Sequence, residues 1–223
     1  KSKLSPMAVT AEYAALLDEL EAQDLIEVKA ALTPFILDLA SHLRGVATSM
    51  NRLDSGDHFY MGAANILHRR AASISERVVQ HLTSYFRDLT PERDDDQLWH
   101  YNIGSADELN LIGVKEFEDF LAIDRIVGLG EELHKVTLEA LTLRLAKLID
   151  TDPDRVRLPI HVRQLCRAFQ RALLDEDVPH NVLNQIYEYF FKQFVRQLAP
   201  YYESLNNLLS DHRVLPHIES EIR

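Results

Sequence analysis

The residues best suited to chemistry in this 223-residue chain are five arginines in one stretch, Arg155 to Leu174, RVRLPIHVRQLCRAFQRALL, which contains no acid. A guanidinium presents a planar fork of donors that matches carboxylate or phosphate oxygens two at a time. The whole chain carries a formal charge of −11, so the remainder sums to −16. A basic segment in so acidic a chain needs either an internal partner or an external anionic one.

Placed on a helix, Arg163, Arg167 and Arg171 form one row at steps of four. The row sits well away from an apolar face of Val162, Leu165, Cys166, Phe169, Ala172 and Leu173. This geometry predicts that the row points towards solvent or another chain. Three readings stand open. The arginines are a solvated face balanced by nearby acids, or a docking surface for a protein partner, or a site for a phosphorylated small molecule or cyclic dinucleotide. The docking reading takes Arg155, Arg157, Arg163, Arg167 and Arg171 as candidate contacts, with Trp99 and Tyr101 in a neighbouring acidic loop as a second candidate anchor. Arg163 and Arg167 also match the Arg-x-x-x-Arg half of a cyclic-di-GMP motif, whose serine-glycine element and β-barrel context are missing here. The negative overall charge weighs against nucleic acid.

Between Asp88 and Glu132 thirteen acids face three bases, a net charge of −10. This stretch is the natural internal counterpart, and against it the arginines would act as a clamp. Other chemistries find little support. Glu131-Glu132-Leu133-His134 contains one Glu-x-x-His, whereas di-iron bundles need two plus further inward carboxylates, so a surface ion pair is expected. No His-Glu-x-x-His helix, glycine-rich phosphate loop or Gly-x-Ser-x-Gly elbow occurs. The single cysteine, Cys166, reads as a buried apolar residue and excludes an intramolecular disulfide. No catalytic residue, metal site or cofactor is expected, and the protein is read as a non-enzyme.

The elements that must position these side chains have helical period almost throughout. Val9 to Ala22 reads as a short amphipathic helix with Thr10 at its cap, and Thr33-Pro34 as a second start that ends near Gly45 and buries Phe35, Ile36, Leu39 and Leu43. Asp57 to Leu89 is the clearest long helix, with apolar positions at Ala63, Leu67, Ala71, Ile74, Val78, Leu82, Tyr85 and Leu89. Asp54 to His58 supplies its turn and cap. Thr90 to Asn110 reads as an acidic loop, then Val114 to Val127 as a helix with Phe117, Phe120 and Leu121 at helical spacing and Asp124 as the polar exception. Gly128 and Gly130 mark a bend, or a tolerated weak point, before Leu133 to Ile149. The last region, Asn181 to Leu209, has a wide apolar arc that predicts a central buried element kinked at Pro200. The expectation is an all-α bundle of about seven helices forming a single domain over 1–223, with a sub-division allowed near 90–112.

The second half also carries a resemblance. Pro159, Leu165, Cys166, Ala168 and Phe169 are followed by Tyr187 and Phe190, then by Tyr202, Leu205 and Asn206, and finally by Val214, Leu215 and Pro216. This order resembles the bacterial family catalogued as domain of unknown function 1631, whose members are typically much longer. The resemblance implies a short relative or one domain of a larger protein, and it transfers no catalytic residue. No apolar run approaches the roughly 18 residues of a membrane span, and the amino terminus lacks the apolar core of a signal peptide. The reading that follows is a cytoplasmic, non-enzymatic regulatory or adaptor module with a protein partner, able to form a homo-oligomer. The phosphorylated-ligand module is its alternative.

Overall fold

A computed structural model describes residues 6–50, 56–91 and 111–222. Its helices are α1 (Pro6–Ser49), α2 (Asp57–Phe86), α3 (Leu111–Leu133), α4 (Lys135–Leu148), α5 (Val162–Leu174), α6 (His180–Gln193) and α7 (Ala199–Asp211). Short 3-10 turns lie at Pro153–Arg155, Val195–Gln197 and Ile218–Ser220. No strand occurs among the described residues, so the fold is the expected all-α bundle, with a helix count close to the expected one.

α1 and α2 form a long antiparallel hairpin. Lys29 meets Glu76 at 2.6 Å, Thr33 meets Ser75 at 2.9 Å, and Arg44 meets Asn65 at 3.4 Å, so numbers rise along one helix as they fall along the other. α5 packs on α2, α3 packs on α5 and α6, and α4 packs on α7. α7 returns to α1, where Gln23 donates to the Ser204 hydroxyl at 2.8 Å. One continuous core runs through all of these contacts, from Leu16 to Val214.

The stripe predicted for α2 is buried from Ala63 to Tyr85, and Leu89 beyond the helix is half-buried. The start at Thr33-Pro34 is corrected: α1 runs unbroken through it, with Pro34 inside and Thr10 already helical. The reason is the stripe Leu20, Val28, Leu32, Ile36, Leu39 and Leu43, buried on both sides of the proline. Pro34 and Ala30, whose carbonyl loses its helical donor, both lie on the exposed side of α1. Thr33, the expected cap, instead donates its hydroxyl across the hairpin to Ser75.

Of the two readings of Gly128 and Gly130, the bend is corrected and the tolerated weak point holds. α3 continues through both glycines to Leu133, and the break falls at His134. A Cβ on Gly130 would stand 2.6 Å from Val162 Cγ1 and 2.8 Å from Val195 Cγ1. Glycine is there for close approach, which brings α3 against the start of α5 and the turn after α6. The last region is likewise two helices rather than one kinked at Pro200. The chain leaves helical geometry at Phe194, makes the 3-10 turn, and begins α7 with Pro200 in its first turn, where a missing N–H costs nothing.

Two stability predictions follow from this packing. Gly130→Ala gains roughly 1 kcal/mol of helix propensity but drives a methyl into two stiff, buried valines, so a net loss of about 1–2 kcal/mol is expected in urea unfolding. The same change at Gly128, where nothing lies within 4 Å, is expected to stabilise. The second concerns Asp24, fully buried on the core stripe of α1 with both carboxyl oxygens unpartnered. Burial, with the charges of Glu27 and Glu21 adding to it, holds its carboxyl well above the ordinary 3.8. Below that value the neutral acid is the form present in both folded and unfolded chains. As pH rises from there towards the folded value, only the unfolded chain ionises, and stability falls by about 1.4 kcal/mol per pH unit. Asp24→Asn should therefore stabilise the protein at pH 7 and change it little at pH 4, as read by thermal unfolding at both.

Candidate interaction surface

Asp152 accepts from the backbone N–H of Asp154 and starts the 3-10 turn that leads into the basic segment. α5 is then capped by His161, whose Nδ1 accepts from the Arg163 N–H at 3.2 Å. Burial and the neighbouring Arg163 charge hold the His161 pKa down to about 4, which keeps Nδ1 free to accept. The predicted apolar face is fully buried, and burial pushes the Cys166 thiol up to about 12. A thiol so placed is a packing group rather than a nucleophile.

The arginine row does not face solvent as the helical wheel predicts. Arg167 is only 5% exposed. Arg163 pairs with Glu131 at 3.1 Å and Asp124 at 3.7 Å, both on α3. Arg171 donates to the Tyr85 hydroxyl of α2 at 3.3 Å. The wheel located the row relative to one apolar face, but α5 is sandwiched between α2 and α3, and its polar row lies in that seam. Ahead of the helix, the Arg157 guanidinium donates to the Asp88 carbonyl at 2.7 Å and stacks 5.1 Å above the Tyr85 ring. Arg155 is exposed. Asp88, Asp124 and Glu131 all belong to the acidic stretch named above, so Arg157 and Arg163 act as internal clamps. Trp99 and Tyr101, with the loop around them, lie outside the described residues.

The Glu-x-x-His element is corrected as well. Rather than forming a surface ion pair, His134 is buried, and its Nε2 lies 2.7 Å from the Val195 carbonyl at the break between α6 and α7. Its ring meets the edge of Tyr202, whose hydroxyl donates to the Ile160 carbonyl at 2.9 Å. Among the described residues no group of three or more His, Cys, Asp or Glu is arranged to hold a metal ion. No described helix is long and apolar enough to cross a membrane.

The largest departure from buried apolar packing lies on α3 and α4. Ile123, Ile126 and Val127 face inward, while Leu121, Leu129, Leu133 and Val136 are 49%, 46%, 52% and 45% exposed. Leu121 was expected on the packing side. Asp124 is indeed polar and outward, and the side chains of Phe117 and Phe120 lie outside the described residues. Beside this face a groove of about 380 Å³ runs between α3 and α6, floored by Ala122, Ile126 and Phe191 and rimmed by Arg125, Glu188 and Lys192. No sequence motif marks this surface. Its one signal is that Leu121 falls on the side of α3 opposite Gly130.

The family model described as "Protein of unknown function (DUF1631) N-terminal domain" matches residues 12–213. No curated protein and no solved structure matches the chain.

The clamp makes a definite prediction. Arg163→Glu places a third carboxylate beside Glu131 and Asp124 and should destabilise the fold by about 1 kcal/mol, a figure kept small by partial exposure of all three groups. Adding Glu131→Arg to that variant should recover most of the loss in chemical denaturation, and no recovery would refute the pairing.

Proposed function

We propose that this chain, which belongs to the DUF1631 family and matches the model of that family's N-terminal domain over residues 12–213, is a non-enzymatic adaptor or regulatory module that recognises a protein partner. The observation that carries the reading is the cluster of four large, half-exposed apolar side chains on α3 and α4 beside an apolar groove. Clustered apolar exposure of this kind marks interaction surfaces, whereas scattered single residues do not. The face is a rod bordered by charges of both signs, so the partner it fits is a helix bearing an apolar stripe with complementary charges beside it.

The docking face is placed on α3 rather than on the arginine row because Arg157 and Arg163 are already paired with Asp88, Asp124 and Glu131. A phosphorylated ligand at these arginines would have to displace those acids, which is why the protein-partner reading is favoured. The non-enzymatic reading draws support from His134, His161 and Cys166, each committed to a cap, a carbonyl or the core. A cytoplasmic location is part of the proposal, supported by a single free cysteine.

Leu129→Glu tests the proposal. Because Leu129 is half-exposed, the melting temperature should hold, while capture of the partner from native lysate should fall tenfold or more, as expected when a buried leucine contact is replaced by a charge. Arg155→Glu should leave capture unchanged. Equal capture by the Leu129 variant and the unmodified chain would overturn the reading.

A further inference from the structure

Arg70, Arg77, Arg144, Arg157 and Arg163 each meet a carboxylate. Arg44 of α1 and Arg69 of α2 instead converge on one neutral residue, Asn65. Arg44 donates from Nη2 to the Asn65 side-chain oxygen at 3.4 Å, and Arg69 from Nε to the Asn65 carbonyl at 3.3 Å. Both bonds are long for a guanidinium, whose contacts with anions close to about 2.7–2.9 Å. With its oxygen taken by Arg44, Asn65 keeps its NH2 as a third donor, and His68 stands exposed beside Arg69. We infer that Arg44, Asn65 and Arg69, on the outer seam of the α1–α2 hairpin, form a binding site for a phosphate monoester. The site is independent of the docking face on α3.

Charge around the seam favours an anion in spite of the acidic chain. Residues 39–50 and 56–72 carry Arg44, Arg69 and Arg70 against Asp57 alone. Arg70 is drawn to Glu176, 3.6 Å away, so the uncompensated charge is that of Arg44 and Arg69. Asp38 is turned to α6, where it accepts from the Tyr189 hydroxyl. Asp57 lies eight residues before Asn65 and Glu76 seven after Arg69, about 12 and about 10 Å along the axis. Both are beyond the screening length of about 8 Å, and Glu76 is paired with Lys29. The two guanidinium groups also choose among anions. A carboxylate has two oxygens and one charge, which a single guanidinium fork uses up. A phosphate monoester has three terminal oxygens and close to two charges near neutral pH, enough for both forks and the Asn65 amide.

NMR titration of the full chain tests the inference, with inorganic phosphate, glycerol phosphate, and a phosphoserine peptide beside its unphosphorylated form, all at constant ionic strength set with chloride. The Nε–H signals of Arg44 and Arg69 and the Asn65 NH2 should shift and saturate, with a dissociation constant of about 1 mM or tighter for the best ligand. Arg44→Gln and Arg69→Gln should each weaken binding about tenfold, whereas Arg155→Gln, at another exposed arginine, should leave it unchanged. Melting temperatures of the variants check that the fold is intact. Tighter binding of the phosphoserine peptide than of glycerol phosphate makes the source a phosphorylated protein, and the reverse order makes it a free phosphorylated metabolite; either result supports the site. Shifts that never saturate, that chloride or the unphosphorylated peptide reproduces, or that the Arg155 variant loses equally, overturn it.

Discussion

The approach of α3 to the start of α5 and to the turn after α6 is the constraint on which the rest of the molecule depends. It requires a residue without a side chain at position 130, since a Cβ there would overlap both Val162 and Val195. It also requires a polar group where the helix between Phe190 and Tyr202 is interrupted, and His134, one turn beyond Gly130, places its ring nitrogen on the Val195 carbonyl. Once this contact is made, the roll of α3 about its own axis is settled. Ile123, Ile126 and Val127 must face inward, and Leu121, Arg125, Leu129 and Glu132 must face out. The outward apolar face is thus a consequence of the inward glycine.

A second polar pin gathers the turn after α7. Arg144 on α4 is wholly buried and donates to the Val214 and Leu215 carbonyls, to Asn206 and to Glu219. The turn it gathers holds Arg213 and Leu215 at positive φ, 62° and 46°, a conformation that costs L residues energy and persists when its surroundings fix it. The pairing with Arg144 holds the Glu219 carboxyl below its ordinary range. Asn206 completes the set by donating to the Thr137 carbonyl at 3.1 Å. Asp24 stands apart from this pattern, buried on the same core without a partner. Removing any one member of a satisfied set leaves a buried group unpaired, whereas removing the charge on Asp24 orphans no partner.

What was legible in the sequence was periodicity, and what was not was competition between neighbours. The stripe of α2 and the apolar face of α5 are each read from one helix alone, and both are buried as expected. The break between α6 and α7 carries no glycine, and its proline lies downstream of it, so local signals pointed to the wrong residue. Pro34 misled in the opposite sense: a strong stop signal was overridden by apolar burial on both sides of it. The arginine row was misplaced because a wheel drawn on one helix cannot count its neighbours. The charge count, by contrast, anticipated the partners of Arg157 and Arg163, since an acidic stretch opposite a basic one is a property of the whole chain.

That internal pairing changes what the net charge means for recognition. If the arginines were free, an acidic protein with a basic patch would select its partners by long-range attraction. With Arg157 and Arg163 held by Asp88, Asp124 and Glu131, the field felt at a distance is that of a chain carrying −11. At physiological salt that field is largely screened beyond about 8 Å. The outward face of α3 and the start of α4 carries leucines, a valine, a glycine and charges of both signs. A partner docking on the proposed surface would therefore be selected at contact, by apolar burial, rather than by long-range steering.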